Sequence, residues 1–157
     1  FPGFEAGDLA LSFRSLNLIA VVDPDTLRIR WWRNGIARRQ HDPDWMADGR
    51  ILYFDNNTGE SYSHIRAIDP RSYEVETVLD GSDYDFYTSR RGRQQMRADG
   101  SLLITSPEQG RVFEVAPDGA VVFEFVNQYD EAGEHVGIVS DALALPPDFY
   151  KEMPRCD

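Results

Sequence analysis

Cysteine, histidine and lysine are scarce in this chain, and long apolar runs are absent. Cys156 is the only cysteine among 157 residues, so neither an internal disulfide nor a cysteine-based zinc site can form. The chain has no run of about 20 apolar residues, which excludes a transmembrane helix and so membrane insertion. What remains is 41% hydrophobic and 12% aromatic, a composition that folds rather than one that stays disordered.

The charge balance is acidic but unevenly spread. Lys and Arg total 16 against 27 Asp and Glu, a net charge of −11, which opposes unspecific binding to nucleic acid. Nine arginines fall into two runs, and these are Arg28, Arg30, Arg33, Arg38 and Arg39, followed by Arg90, Arg91, Arg93 and Arg97. Such runs indicate either a solvated face with salt bridges or a local anion site, because guanidinium forks match oxyanions.

Short alternating runs between turn residues predict an all-β fold, with helix at most a minor element. The predicted strands form three groups of three, and they are Leu9–Arg14, Leu18–Val22, Leu27–Trp32; Ile51–Asp55, His64–Ile68, Glu74–Leu79; Leu102–Thr105, Arg111–Val115 and Ala120–Phe125.

The groups repeat one another. Ala47-Asp-Gly-Arg-Ile-Leu and Ala98-Asp-Gly-Ser-Leu-Leu share a turn-then-strand pattern, and Gly7-Asp-Leu-Ala-Leu is a looser third copy. A repeat of roughly 40 to 50 residues with three or four strands per unit is typical of β-propeller blades. We therefore predict a single partial propeller domain over residues 1–157, with units at about 7–34, 41–80 and 92–126 and a C-terminal closing segment at 127–157. Three blades cannot close a ring, so we expect an N-terminal part to be missing.

Among the three histidines, His41 has the most suggestive surroundings. His135 lies in a charged, glycine-containing stretch that predicts a solvent loop, and His64 begins a strand, where a structural role is expected. His41 follows two arginines and precedes Asp42 and Asp44, which is unusual for a packing histidine. It is a candidate for base or nucleophilic chemistry, although spacing alone does not decide this.

Arg14 is the second candidate. In Leu9–Arg14 the apolar side chains share one face of the strand, while Ala10, Ser12 and Arg14 share the other, and small residues beside an arginine leave room for a ligand. The alternative is a strand-end arginine paired with a carboxylate.

The sequence carries no familiar metal or nucleotide motif. The acidic stretch from Asp80 to Asp85 lacks the order and the distal Glu of a calcium loop, and no zinc spacing is present. Glycine-rich phosphate loops and a serine-hydrolase elbow are also missing. We therefore expect neither a metal nor a cofactor.

Three motifs give the chain a resemblance to the C-terminal half of the bacterial arylsulfotransferases. They are Ser12-Phe-Arg14-Ser-Leu-Asn; Gln40-His41-Asp-Pro with Gly49-Arg-Ile-Leu-Tyr-Phe-Asp-Asn-Asn57; and Gly92-Arg-Gln-Gln with the strands from Gly100 to Gly119. The His-Asp pair followed by a strand ending Phe-Asp-Asn is the most specific of these. The resemblance covers roughly residues 7–125 and implies a six-bladed propeller.

The resemblance also implies an activity, which is nucleotide-independent transfer of a sulfuryl group from an aryl sulfate to an acceptor phenol. His41 matches the histidine that becomes a transient sulfohistidine in a ping-pong reaction, and Arg14 matches the arginine that binds the sulfate oxygens. The family's His-x-Asn element and a further histidine have no match in these residues, so we expect activity of the full-length protein and not of this stretch alone. A periplasmic or secreted location is implied in the same way.

Two other functions stay open. A propeller of the same descent could act as a non-catalytic binding or scaffold module. A quinoprotein-like dehydrogenase is suggested by Asp23-Pro-Asp followed by Trp31 and Trp32, but that family needs many such repeats and only one is present here.

Overall fold

Eleven β-strands in three antiparallel sheets make up the computed structural model, which describes residues 3–130, 132–133, 135–146 and 149. The first sheet contains β1 Leu9–Phe13, β2 Leu18–Val22 and β3 Ile29–Asn34. The second contains β4 His41–Trp45, β5 Ile51–Asp55, β6 His64–Ile68 and β7 Val75–Asp80. The third contains β8 Arg93–Met96, β9 Leu102–Ser106, β10 Arg111–Val115 and β11 Val121–Val126.

Each sheet is a meander in which neighbouring strands pair in chain order. The expected all-β class is confirmed, because the described residues hold only three short 3₁₀ turns besides the strands, at Arg14–Leu16, Gly81–Asp83 and Pro107–Gln109. In the same residues, no helix has the length and apolar character that a membrane span requires. None of the three sheets formed by the described residues closes on itself.

The three Asp-Gly dipeptides, at Asp48, Asp99 and Asp118, form turns of the same geometry. Asp48, Asp99 and Asp118 each accept, through Oδ1, a hydrogen bond of 3.0 Å from the backbone N–H two residues later. The glycine that follows each aspartate has a φ between +86° and +89°, a left-handed conformation that glycine adopts without a steric penalty. The turn chemistry therefore sets where β5, β9 and β11 begin.

Two strands, β4 and β8, were not predicted from the alternation of apolar and polar residues. β4 and β8 carry His-Asp-Pro-Asp-Trp and Arg-Gln-Gln-Met, which lack apolar alternation, so the predicted groups of three become sheets of four in the second and third cases. They belong to the sheets because their backbones pair with β5 and β9, whose residues are all buried. Backbone hydrogen bonding does not depend on side-chain polarity.

The core lies between the sheets, in two clusters. Ile19, Val21 and Trp31 of the first sheet pack against Ile51, Tyr53 and Ile68 of the second. The opposite face of the second sheet, with Leu52, Phe54 and Ile65, packs against the third sheet through Phe86 and Phe113. The middle sheet is thus buried on both faces, whereas Trp32 on the first sheet and Phe123 on the third remain about half exposed.

The segment after β11 follows the third sheet. Residues 136–145 of the predicted closing segment form no strand, and only Val136 makes an isolated bridge, with Gln128. Asp141 accepts a hydrogen bond of 2.6 Å from Arg93, and Ala144 N–H donates to Gln95 Oε1 at 2.8 Å. Hydrogen bonds with side chains of β8 therefore hold this segment against the third sheet, and no strand ladder does so.

Candidate functional site

His41 is the first residue of β4, and the half-buried imidazole points at a buried amide. Its Nδ1 lies 2.6 Å from Oδ1 of Asn56, the residue that directly follows β5. His41 and Phe54 are paired across β4 and β5, which brings the end of β5 beside the start of β4. The sheet register therefore sets this contact.

A β-bulge follows His41 immediately. His41 pairs with Phe54 and Asp44 with Leu52, so Asp42 and Pro43 together face a single residue of β5. Asp42 takes a φ of +53°, in the left-handed region that Asp tolerates better than most residues. The bulge turns the strand directly beside the candidate nucleophile.

Contacts from both outer sheets hold the start of β4. From the first sheet, Ser12 Oγ donates a 2.9 Å hydrogen bond to the carbonyl of Gln40, whose own Nε2 donates to Leu18 O at 2.8 Å. From the third sheet, Gln94 N–H donates to Asp42 Oδ2 at 3.0 Å. The first strands of the three sheets, β1, β4 and β8, thus contact one another around the start of β4.

Arg14 begins the 3₁₀ turn after β1 and is half-buried. Its Nη2 donates a 3.2 Å hydrogen bond to the carbonyl of Ser89, which does not fit the alternative of a strand-end salt bridge. Its Nε is buried, and no hydrogen-bond acceptor contacts this atom within the described residues. In the part of the chain that the structure describes, the guanidinium thus keeps one N–H donor without a protein acceptor.

One short segment between β7 and β8, Thr88–Arg91, accepts hydrogen bonds from Arg14 and from Asn56, the partner of His41. Asn56, which contacts His41, donates through Nδ2 to the carbonyls of Thr88 at 2.9 Å and Arg91 at 2.7 Å. Arg14 donates to Ser89 in the same segment. The two residues come from different sheets and share this segment as a backbone support, directly for Arg14 and through Asn56 for His41.

The segment is itself well anchored. Ser63 Oγ accepts a 3.1 Å hydrogen bond from Thr88 N–H, and the N–H and hydroxyl of Ser89 both donate to Glu108. Burial acts to raise the pKa of Glu108, but these bonds from Ser89 and one from Thr88 outweigh it and lower that pKa. A charged Glu108 therefore holds the segment against the third sheet.

The other two histidines have partners of their own. His64 begins β6, where Asn57 Nδ2 lies 3.1 Å from its Nε2 and Asp80 Oδ1 lies 3.4 Å from its Nδ1. His135 is exposed and pairs with Asp130 at 2.5 Å. Asp80, distant in sequence from His64, is a carboxylate partner that sequence spacing did not suggest.

His64 also lines a surface pocket of about 550 Å³, together with Arg38, Asp55 and Arg66. Neither His41 nor Arg14 lines it. The charges of this pocket are paired internally, Arg66 with Asp55 at 3.2 Å and Arg38 with Glu60 at 2.5 Å. The pocket therefore offers less free charge to an anion than its two arginines suggest.

Within the described residues, four of the nine arginines in the two runs form salt bridges with carboxylates, and they are Arg30, Arg38, Arg93 and Arg97. Arg30 contacts Glu5, Asp8 and Asp23, Arg93 contacts Asp42 and Asp141, and Arg97 contacts Glu114. The interpretation as a solvated face with salt bridges fits these pairs better than an anion site does. Among the described residues, no group of three or more His, Cys, Asp and Glu is placed to hold a metal ion.

Sequence reasoning missed Asn56 and the Thr88–Arg91 segment. Asn56 stands inside the Phe-Asp-Asn motif, but nothing in its spacing from His41 indicates a contact across the bulge. The segment acts through backbone carbonyls, which carry no residue-type signal.

Comparison with known proteins supports the motif-based resemblance. A search of curated proteins found no match to the chain. The family model described as Arylsulfotransferase (ASST), however, matches residues 2–128, which is most of the chain and includes Arg14, His41, Asn56 and the Thr88–Arg91 segment. The chain therefore belongs to the arylsulfotransferase family.

Proposed function

We propose that the protein transfers a sulfuryl group from an aryl sulfate to an acceptor phenol, with His41 as the nucleophile and Arg14 as a donor to the sulfate oxygens. The observation that carries the proposal is the link of both residues to the Thr88–Arg91 segment, directly for Arg14 and through Asn56 for His41. Family membership supports the reaction class and small aromatic substrates. The geometry supports the choice of these two residues.

The reaction proceeds in two displacements. A ring nitrogen of His41 attacks the sulfur in line, an N–S bond forms, and the S–O bond breaks with its electron pair leaving on the phenolate. The oxygen of a second phenol then attacks the same sulfur, the N–S electrons return to the ring, and the acceptor's proton passes to solvent. The substrates supply every atom transferred, so the route consumes no nucleotide and no oxidant.

Arg14 suits the charge that this transfer must stabilise. Three sulfuryl oxygens share negative charge throughout, and guanidinium N–H groups held in place by protein contacts stabilise such charge without reorganising. The bond to Ser89 fixes the orientation of Arg14, and its buried Nε–H has no acceptor in the described residues. A sulfate oxygen would supply one.

We also propose that the three sheets are blades of a six-bladed propeller. The sequential antiparallel meanders and the middle sheet packed on both faces support this arrangement. The units would be 7–34, 41–80 and 92–126, with 127–157 as a closing segment. In this arrangement His41 and Arg14 lie near the axis. A periplasmic or secreted location is proposed from the family alone.

The test uses the full-length protein that contains these residues, incubated with a nitrophenyl sulfate and then quenched. Intact and peptide mass spectrometry should find an added sulfuryl group on the peptide that contains His41, and the adduct should disappear when an acceptor phenol is added. His41→Ala should lose the adduct and nearly all release of nitrophenol. His64→Ala and His135→Ala are matched controls that should keep both.

A folded wild-type protein that forms no adduct and releases no nitrophenol would contradict the proposal and favour a non-catalytic binding module. An adduct on another residue would retain the reaction class but reject His41 as the nucleophile.

A further inference from the structure

The orientation of the Asn56 side chain is determined by its surroundings. The residue is fully buried, and its Nδ2 faces the carbonyl oxygens of Thr88 at 2.9 Å and Arg91 at 2.7 Å. A carbonyl only accepts hydrogen bonds, so the NH₂ group of the amide must face these two atoms. The reversed amide would place its oxygen against two other oxygens. Oδ1 therefore has to face His41.

That orientation determines the position of the proton on His41. An amide oxygen can only accept, and Nδ1 of His41 lies 2.6 Å from it, so Nδ1 must carry a hydrogen. In a neutral imidazole only one nitrogen is protonated, and the other then holds an in-plane lone pair. With the proton on Nδ1, this lone pair is on Nε2.

We propose that Asn56 is a positioning residue that holds His41 in the Nδ1–H tautomer, so that Nε2 is the atom that attacks sulfur. This inference rests on the proposed function and adds to it the identity of the attacking atom and of the group that selects it. A fully buried amide with every polar atom satisfied is a rigid support, and such support for a reacting imidazole is a recurring requirement of catalysis.

The proton balance of the transfer follows from this tautomer. As Nε2 donates its lone pair to sulfur, the ring acquires positive charge while Nδ1 keeps its hydrogen, and the Asn56 oxygen stabilises that charge through the hydrogen bond. When the acceptor phenol attacks, the N–S electrons return to Nε2 and the original tautomer is restored. No proton has to leave or enter His41 during either displacement.

The first measurement reads the tautomer of His41 in the wild-type protein. The full-length protein with ¹⁵N-labelled histidine, at a pH where its imidazoles are neutral, should show His41 with a protonated Nδ1 and an unprotonated Nε2 in a long-range ¹H–¹⁵N correlation spectrum. The His41 signals are identified by their loss in His41→Ala. An Nε2–H tautomer in the wild-type protein would overturn the inference.

The second measurement separates positioning from structural support. Asn56→Ala removes the acceptor, so the Nε2–H tautomer should appear and the rate of adduct formation should fall about 100-fold, with KM for the aryl sulfate little changed. Ser63→Ala is the matched control, because Ser63 Oγ bonds Thr88 N–H and the Asn56 carbonyl but does not contact His41. Ser63→Ala removes a hydrogen bond to the Thr88–Arg91 segment, but it should keep the Nδ1–H tautomer of His41 and most of the rate of adduct formation.

Two outcomes would count against Asn56 as a positioning residue. In the first, Asn56→Ala keeps both the Nδ1–H tautomer of His41 and the wild-type rate of adduct formation. In the second, Ser63→Ala changes the tautomer and the rate as much as Asn56→Ala does. Failure of the proposed function has a different signature, which is a wild-type protein that shows the Nδ1–H tautomer but never forms an adduct.

Discussion

Asp42 shows how one residue next to His41 connects two sheets. Its backbone forms the bulge in β4, and its carboxylate accepts a hydrogen bond from Gln94 N–H and pairs with Arg93 on β8. Burial raises the pKa of Asp42, and the contacts from Gln94 and Arg93 only partly oppose that effect. The ionised carboxylate therefore has a net cost to folding, although it links the second sheet to the third.

This cost predicts a pH-dependent effect of Asp42→Asn. A carboxyl whose pKa is higher in the folded protein than in the unfolded chain imposes no cost below the ordinary value of 3.8, and its full cost appears only above the raised folded value. The difference in free energy of unfolding, variant minus wild type, should thus increase as pH rises from below 3.8 toward neutrality. Urea denaturation at several pH values measures it.

Asp44→Asn, which removes an exposed carboxyl from the same strand, controls for the change in net charge. A difference for Asp42→Asn that stays flat or decreases with rising pH would contradict the assignment of a raised pKa.

At the scale of elements, the 3₁₀ turn after β7 depends on a glycine for space. A Cβ on Gly81 would lie 1.9 Å from the carbonyl oxygen of Ser63. Ser63 in turn accepts from Thr88 and donates to the carbonyl of Asn56, so the turn packs directly under the support of the candidate site. A side chain at position 81 would therefore displace Ser63 and, through its hydrogen bond with Thr88, the Thr88–Arg91 segment.

Gly81→Ala should therefore destabilise the protein by about 3 kcal/mol, because backbone atoms have to move to admit the methyl group. Gly59→Ala is the comparison, since Gly59 has a φ of +99° but no atom within 4 Å of the place its new methyl group would take, and left-handed strain alone should cost about 1 kcal/mol. Denaturant midpoints of the two variants test the difference. Equal midpoints would show that crowding at Ser63 is relieved at no cost.

At the scale of the whole molecule, stability depends on packing between sheets, since both buried apolar clusters combine side chains from two sheets. Phe86 lies in the connection between the second and third sheets and is fully buried. Its ring centroid is 5.9 Å from that of Phe54 on one side and 5.4 Å from that of Phe113 on the other. It therefore joins the two sheets across their shared cluster.

Phe86→Ala should lower the free energy of unfolding by about 3 to 5 kcal/mol, because a cavity would open where both sheets meet. Leu16→Ala, at a side chain that is 62% exposed, should change it by about 0.5 kcal/mol or less. Thermal or urea unfolding compares the two. A small loss for Phe86→Ala would show that the sheets close the cavity by moving together.

Local chemistry made much of the fold readable from the sequence. Apolar alternation located nine of the strands to within about two residues, and the Asp-Gly dipeptides located the turns between them, because both signals depend on residues adjacent in the chain. β4 and β8 were not predicted, since they belong to their sheets through backbone pairing rather than apolar faces.

Motif resemblance selected His41 and Arg14 as candidate residues and the arylsulfotransferases as the family, and the family is now established. Only the tertiary structure decided what those residues contact. The bulge at Asp42, the register of β4 on β5 and the carbonyls of Thr88–Arg91 together place Asn56 against Nδ1 of His41. Such contacts join residues far apart in the chain through backbone atoms common to all residue types, so they exist only once the sheets have packed.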